Sequence, residues 1–233
     1  RMKRFHCLGL VVVIVIFAAI TFPTLLNRIQ DGEIRESNRT SAAEPLSYII
    51  LNKEARKVPD FLMRNQDSLY ISNEDFLGKV YVVEFFFTRC PSICPVMNKN
   101  MKRLDAAFGS RDDFGIASFS IDPDHDTPTV LKNYASLYEV QSPNWHFLTG
   151  EKPKIFDLAN TGFNIFASIN PEVAGGFEHQ GYFALIDKEG FLRSRIDDFG
   201  NPIVYYLGIE EENPMGLSGT EMLLEDVEKL LKE

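Results

Sequence analysis

Cys90-Pro91-Ser92-Ile93-Cys94 sets two thiols four residues apart. One helical turn brings such positions onto one face, close enough to close a disulfide or to share a metal ion. The thiolate is the form that attacks disulfides and binds soft metals, and the positive end of a helix favours it. Three cysteines are too few for a disulfide scaffold. Cys7 lies far from the other two in sequence, at the edge of an apolar run, and reads as a buried thiol.

Two sulfurs alone specify a metal weakly. Zn(II) usually asks for four ligands, whereas Cu(I) accepts two sulfurs and can add a nitrogen. Of the four histidines, His6 precedes the apolar run, His125 stands among turn residues and His146 sits in a short apolar stretch. His179 is the best third donor, because its loop, Gly175 to Gly181, leads into a strand expected beside the one that carries Cys90. Until topology is considered, a lone histidine in a loop reads equally as surface.

Three further readings have plain alternatives. Thr88-x-Cys90 could set a hydroxyl near a nucleophilic sulfur, as a thiol peroxidase requires, or Thr88 could simply end a strand. Asp122 and Asp126 could support ligands or face a partner, though turn formation and helix capping also account for them. Met97 could be an extra soft ligand, but its spacing with Met101 and Leu104 predicts core packing.

The elements that position these groups follow from patterning. Val80 to Phe87 is a nearly continuous apolar run rich in β-branched and aromatic residues, which predicts a strand covered on both faces and leading into Cys90. Pro95 to Phe108 carries apolar residues at helical spacing with proline at the first position, so Cys94 stands at a helix entrance. A strand at Gly115 to Ile121 precedes a helix capped by Thr127, with Pro128 first, running to about Tyr138. A short strand at His146 to Leu148, a helix at Pro153 to Gly162, a hairpin from Tyr182 to Ile196 turning at Lys188-Glu189-Gly190, and a helix from about Ser218 complete the pattern. Alternating strands and helices followed by a hairpin predict an α/β fold with a central mixed sheet flanked by helices, active groups lying at the carboxyl ends of the parallel strands.

With these elements in place, the chain from about Val58 onward resembles the Sco/SenC family of copper chaperones for cytochrome c oxidase. EFFFTRCPSICP resembles the family's apolar strand followed by C-P-x-x-C-P, Asp122 to Pro128 resembles its D-P-x-x-D-T-P element, and Glu178-His179 before FALID resembles the segment bearing its copper-ligand histidine. The resemblance implies a thioredoxin-like fold and one copper ion per chain, Cu(I) or Cu(II), held by Cys90, Cys94 and His179. It also implies cytochrome c oxidase subunit II as partner, with its dinuclear copper centre as destination. A non-enzymatic metallochaperone is implied first, and a dedicated thiol-disulfide oxidoreductase acting through Cys90 and Cys94 is compatible. Two departures stand out: Glu178 occupies a position where aspartate is common, and residues 198–217 form a longer loop than the family pattern suggests.

The bulk numbers agree. A chain of 233 residues with 45% hydrophobic residues holds one ordinary domain plus attachments, and a formal charge of -9 argues against nucleic-acid binding. Cys7 to Leu26 is uncharged and, at about 1.5 Å per residue, long enough to span the ~30 Å hydrocarbon layer. Arg1, Lys3 and Arg4 before it would keep the N-terminus in the cytoplasm. The expectation is a single-pass anchor at 1–26 in the inner membrane, a tether at 27–57, and a domain at 58–233 facing the periplasm. A cleaved leader is the alternative, with Ala18 and Ala19 as its small residues.

Overall fold

The computed structural model describes residues 45–197, 199–210 and 217–233. The expected membrane segment, Cys7 to Leu26, lies outside them, as do Asp198 and residues 211–216 of the long loop. Among the described residues no helix is long and apolar enough to cross a membrane.

The strands in chain order are β1 (Ser47–Tyr48), β2 (Ile50–Leu51), β3 (Glu54–Ala55), β4 (Leu62–Arg64), β5 (Tyr70–Ser72), β6 (Val80–Phe86), β7 (Phe114–Ser120), β8 (Trp145–Leu148), β9 (Ala167–Ile169), β10 (Phe177–His179), β11 (Tyr182–Ile186), β12 (Leu192–Ser194) and β13 (Tyr206–Leu207). The helices are α1 (Cys94–Phe108), α2 (Pro128–Leu137), α3 (Lys152–Asp157) and α4 (Gly219–Lys232). One mixed sheet runs β1-β12-β11-β6-β7-β8, with β13 also pairing β11. β6, β7 and β8 are parallel, and β11 joins β6 antiparallel, Ala184 opposite Val83. This is the expected thioredoxin-like α/β arrangement with a central mixed sheet.

Every residue of β6 is buried, as an apolar run with no polar alternation demands of a strand covered twice. On one face Phe86 packs against Tyr134 of α2 and against Phe147. On the other, Phe85 meets Phe119 and Phe163. Glu84 is the exception in chemistry: wholly buried, it accepts from the Ser118 hydroxyl at 2.7 Å, while Trp145 Nε1–H donates to that same hydroxyl at 3.0 Å.

The caps behave as their side chains predict. Thr127 accepts from the Val130 N–H at the start of α2, and Ser218 makes a reciprocal capping box with Glu221 at α4.

Four expectations need correction. The expected tether ends too late, because β1 pairs with β12 at Ser47 opposite Ser194 and Leu46, Ile49 and Arg56 take part in the fold. Period counting cannot see strands this short. The helix expected at Pro153 to Gly162 is α3 followed by a π turn, Leu158–Phe163, ending at Asn164 in the left-handed conformation. The loop at 198–217 contains β13, whose Tyr206 is buried and donates to Asp226 at 2.8 Å. Finally, His179 ends strand β10, which pairs with β9 in a separate two-stranded ribbon, His179 opposite Ala167.

Candidate metal centre

The backbone leaves the β6 ladder at Phe87 and turns, the Cys90 N–H bonding back to the Phe87 carbonyl at 3.2 Å. Cys94 is the first residue of α1, with Pro95 next and no side-chain cap before them. Both cysteines are free thiols, Cys90 buried with its edge at the surface and Cys94 fully buried. His179 is half-buried and arrives from the β9–β10 ribbon.

The three sequence-predicted ligands therefore meet, although 85 residues separate Cys94 from His179. Their donor atoms all lie within 4.8 Å of one another. Nε2 of His179 is 3.2 Å from Sγ of Cys94, and Nδ1 faces the Gln180 carbonyl at 3.2 Å. A carbonyl only accepts, so Nδ1 carries a proton, and in the neutral ring Nε2 is the nitrogen left to ligate.

The thiols are electrostatically unequal. Hydrogen bonding from the Cys94 thiol holds Cys90 down to about 3, against the opposing effect of burial, with help from His179 and from the N–H groups of Cys94 and Ser92. Burial, and then the neighbouring Cys90 sulfur, push Cys94 far up. Of the two, Cys90 is the more readily ionised and Cys94 the less.

Phe87 fixes the ribbon against this loop. Its ring contacts Phe177 at 5.3 Å and His179 edge-on at 5.8 Å. Gly175 crosses the same ring with φ +92, and a Cβ there would stand 2.7 Å from it. Only glycine satisfies both the backbone angle and the approach. A cavity of about 260 Å³ opens between loop and ribbon, lined by Cys90, Ile93, Val173, Phe177 and His179 among others.

The remaining candidates separate. Met97 is wholly buried in the core. The Thr88 hydroxyl donates to Asp126. Asp122 accepts from Arg89 Nε at 3.1 Å. His125 joins Asp122 and Asp126 in a second cluster of potential donors, but its Nδ1 bonds Asp126 at 2.9 Å and the carboxylates are taken by their neighbours. Phe87 and the Gln180 carbonyl were not identifiable as site residues in the sequence, whereas Asp126 could be read there either as ligand support or as a turn and cap residue. The Asp-Pro-x-x-Asp pattern was the available signal for Asp126.

With this geometry in place, comparison with known proteins gives one answer. The family described as SCO1/SenC matches residues 51–212. The chain is 34% identical over 149 residues to the SCO1 protein homolog of Bacillus subtilis strain 168, covering 63% of this chain and 72% of that protein. In structure it is similar to a SCO1/SenC family lipoprotein from Bacillus anthracis strain Ames, with TM-score 0.62 and 30% identity over 78% of this chain and 99% of that one. It is similar also to BsSco, a member of the Sco family of cytochrome c oxidase assembly proteins, with TM-score 0.60 and 30% identity over 75% and 93%. Because the match takes in more than half of the chain, and both segments that build the centre, this chain belongs to the SCO1/SenC family.

Proposed function

We propose that Cys90, Cys94 and His179 bind one copper ion and that the chain carries copper into the assembly of cytochrome c oxidase, with the dinuclear centre of subunit II as recipient. The observation that carries this reading is the convergence of two sulfurs and an imidazole nitrogen within 4.8 Å. Such a set suits Cu(I) in three-coordination and falls one donor short for a structural zinc site. Family membership supports it, as does a Stutzerimonas stutzeri protein named for copper binding, 28% identical over 68% of this chain and 78% of its own length. Loading the ion ionises Cys94, so binding releases a proton and weakens in acid.

Titration with Cu(I) under a competing chelator tests the reading. One ion per chain is expected for the wild type, with loss of tight binding in Cys90→Ala, Cys94→Ala and His179→Ala. Wild-type stoichiometry and affinity in the histidine variant would remove His179 as a ligand.

The inequality of the thiols favours a second reading, reduction of a disulfide in a target protein. The Cys90 thiolate would attack the target disulfide and displace one target thiolate. Cys94 would then lose its proton and attack the mixed disulfide, releasing the second target thiol and leaving Cys90 and Cys94 oxidised until an external dithiol resets them. Turnover against a disulfide-bonded peptide, with no copper present, distinguishes this from copper carriage.

The anchor belongs to the same proposal. Cys7 to Leu26 would span the inner membrane, residues 27–44 would tether, and the folded domain would face the periplasm. A protease added outside spheroplasts is expected to release the domain, and protection from it would reverse the orientation.

A further inference from the structure

Between the last residue of β6 and Cys90 the chain has left the strand ladder, and a side chain holds it. The Thr88 N–H donates to Asp126 Oδ2 at 3.0 Å, and the Thr88 hydroxyl donates to Oδ1. The same carboxylate accepts from the Ser120 hydroxyl on Oδ2 and from His125 Nδ1 on Oδ1 at 2.9 Å. Asp126 is wholly buried, and four donors fill its acceptor positions.

Neither plain role accounts for this carboxylate. The cap of α2 is Thr127, whose own hydroxyl accepts from Val130. The preceding turn is closed by backbone, with the His125 and Asp126 N–H groups both donating to the Asp122 carbonyl, at 3.0 and 2.8 Å. The Asp126 side chain is thus free to serve the segment that leads to Cys90, two residues beyond Thr88.

We propose that Asp126 is a positioning residue for the two-sulfur centre: by gripping Thr88 through both its N–H and its hydroxyl, it sets where Cys90 stands relative to Cys94 and His179. This rests on reading the centre as a copper or dithiol site. Asp126 acts without touching either sulfur, through the strand end, and its loss lets the Thr88–Arg89 segment and with it Cys90 drift from the other two donors.

The test measures Cu(I) affinity by chelator competition, the dithiol–disulfide equilibrium of the metal-free protein in glutathione buffers, and thermal melting, each on the full chain. Asp126→Ala is expected to lower Cu(I) affinity about 10- to 100-fold and to shift the dithiol equilibrium in parallel. Thr88→Val, which keeps the N–H bond and drops the hydroxyl, is expected to move both in the same direction by less, and Thr88→Ser to stay within about twofold of wild type. Melting alone would fall if the role were only structural, so a lower melting point with both equilibria unchanged overturns the proposal. Should Asp126→Ala not fold, the contrast between Thr88→Val and Thr88→Ser decides. A wild type that takes up no copper would defeat the copper reading, yet the dithiol equilibrium would still report on Asp126.

Discussion

Nε2 of His179 lies 3.2 Å from Sγ of Cys94, and its Nδ1–H is spent on the Gln180 carbonyl. The imidazole is therefore delivered to the sulfurs in one tautomer, before any ion arrives. Beside it, hydrogen bonding favours the thiolate at Cys90 and burial disfavours it at Cys94.

Alkylation exposes that division. Cys90, held down to about 3, is thiolate throughout the range from pH 5 to pH 9, taken as about the working window for thiol reagents. Its modification by iodoacetamide in the reduced, metal-free protein is expected to be nearly flat with pH, whereas an ordinary thiol rises towards its value near 8.5. Cys94, buried and proton-bearing, is expected to lag. Peptide mapping after timed quenching reads both rates, and a steep rise for Cys90 through neutrality would contradict the assignment.

Gly175 and Phe87 give a geometric prediction. A methyl group at Gly175 meets the Phe87 ring at 2.7 Å with φ at +92, so Gly175→Ala is expected to cost about 1–2 kcal/mol of stability. It should also displace the ribbon that carries His179, lowering Cu(I) affinity. Adding Phe87→Leu should recover part of the affinity by clearing the contact. Urea unfolding and chelator competition on the single and double variants check the two effects.

Glu84 predicts how stability depends on pH. Burial raises its carboxyl from 4.5 to about 7, the Ser118 hydrogen bond partly opposing. The folded state then holds the proton more tightly than the unfolded one, so this group's contribution is fully present below pH 4.5 and is lost as pH rises through about 7. The whole difference is on the order of 3 kcal/mol. Glu84→Gln is expected to flatten this slope, matching wild type near pH 4 and exceeding it near pH 8, windows set by about those two values. Urea midpoints at both pH values measure it, and parallel slopes would count against a protonated Glu84.

Asp226 of α4 holds Arg195, just beyond β12, and Tyr206 of β13. It is wholly buried and accepts from Arg195 Nε at 2.7 Å and from the Tyr206 hydroxyl at 2.8 Å. Asp226→Ala takes one carboxylate from the buried Arg195, which keeps Glu225 at 2.9 Å, so the change is expected to cost about 3 kcal/mol. Copper affinity of the fraction that remains folded is expected to be unchanged. Denaturant titration and chelator competition separate the two.

What the sequence revealed depended on whether the physics was local. The strand before Cys90, the helix after Cys94 and the cap at Thr127 each follow from a few neighbouring residues, and each is present. Pairings of two or three residues have no period to detect, which is why β1 was hidden in an expected tether and β10 in an expected loop. His179 could be nominated from its place before β11, but its tautomer depends on where the Gln180 carbonyl turns. Asp126 shows the same limit. Its sequence neighbours suggest a cap, a turn or ligand support, and only the fold reveals that its oxygens accept from Thr88 as well as from Ser120 and His125.

The ribbon that bears His179 is joined through three residue pairs, Phe177 with Ile169, Glu178 with Ser168 and His179 with Ala167, and stands outside the seven-stranded sheet. Cys90 and Cys94 instead follow β6, a strand buried at every position, with Cys94 opening α1. Local opening is cheapest where few buried contacts must break, so amide exchange should release β9 and β10 well before β6. If copper is held there as proposed, an incoming protein could displace His179 while Cys90 and Cys94 stay in place, and release would need no unfolding of the rest of the domain.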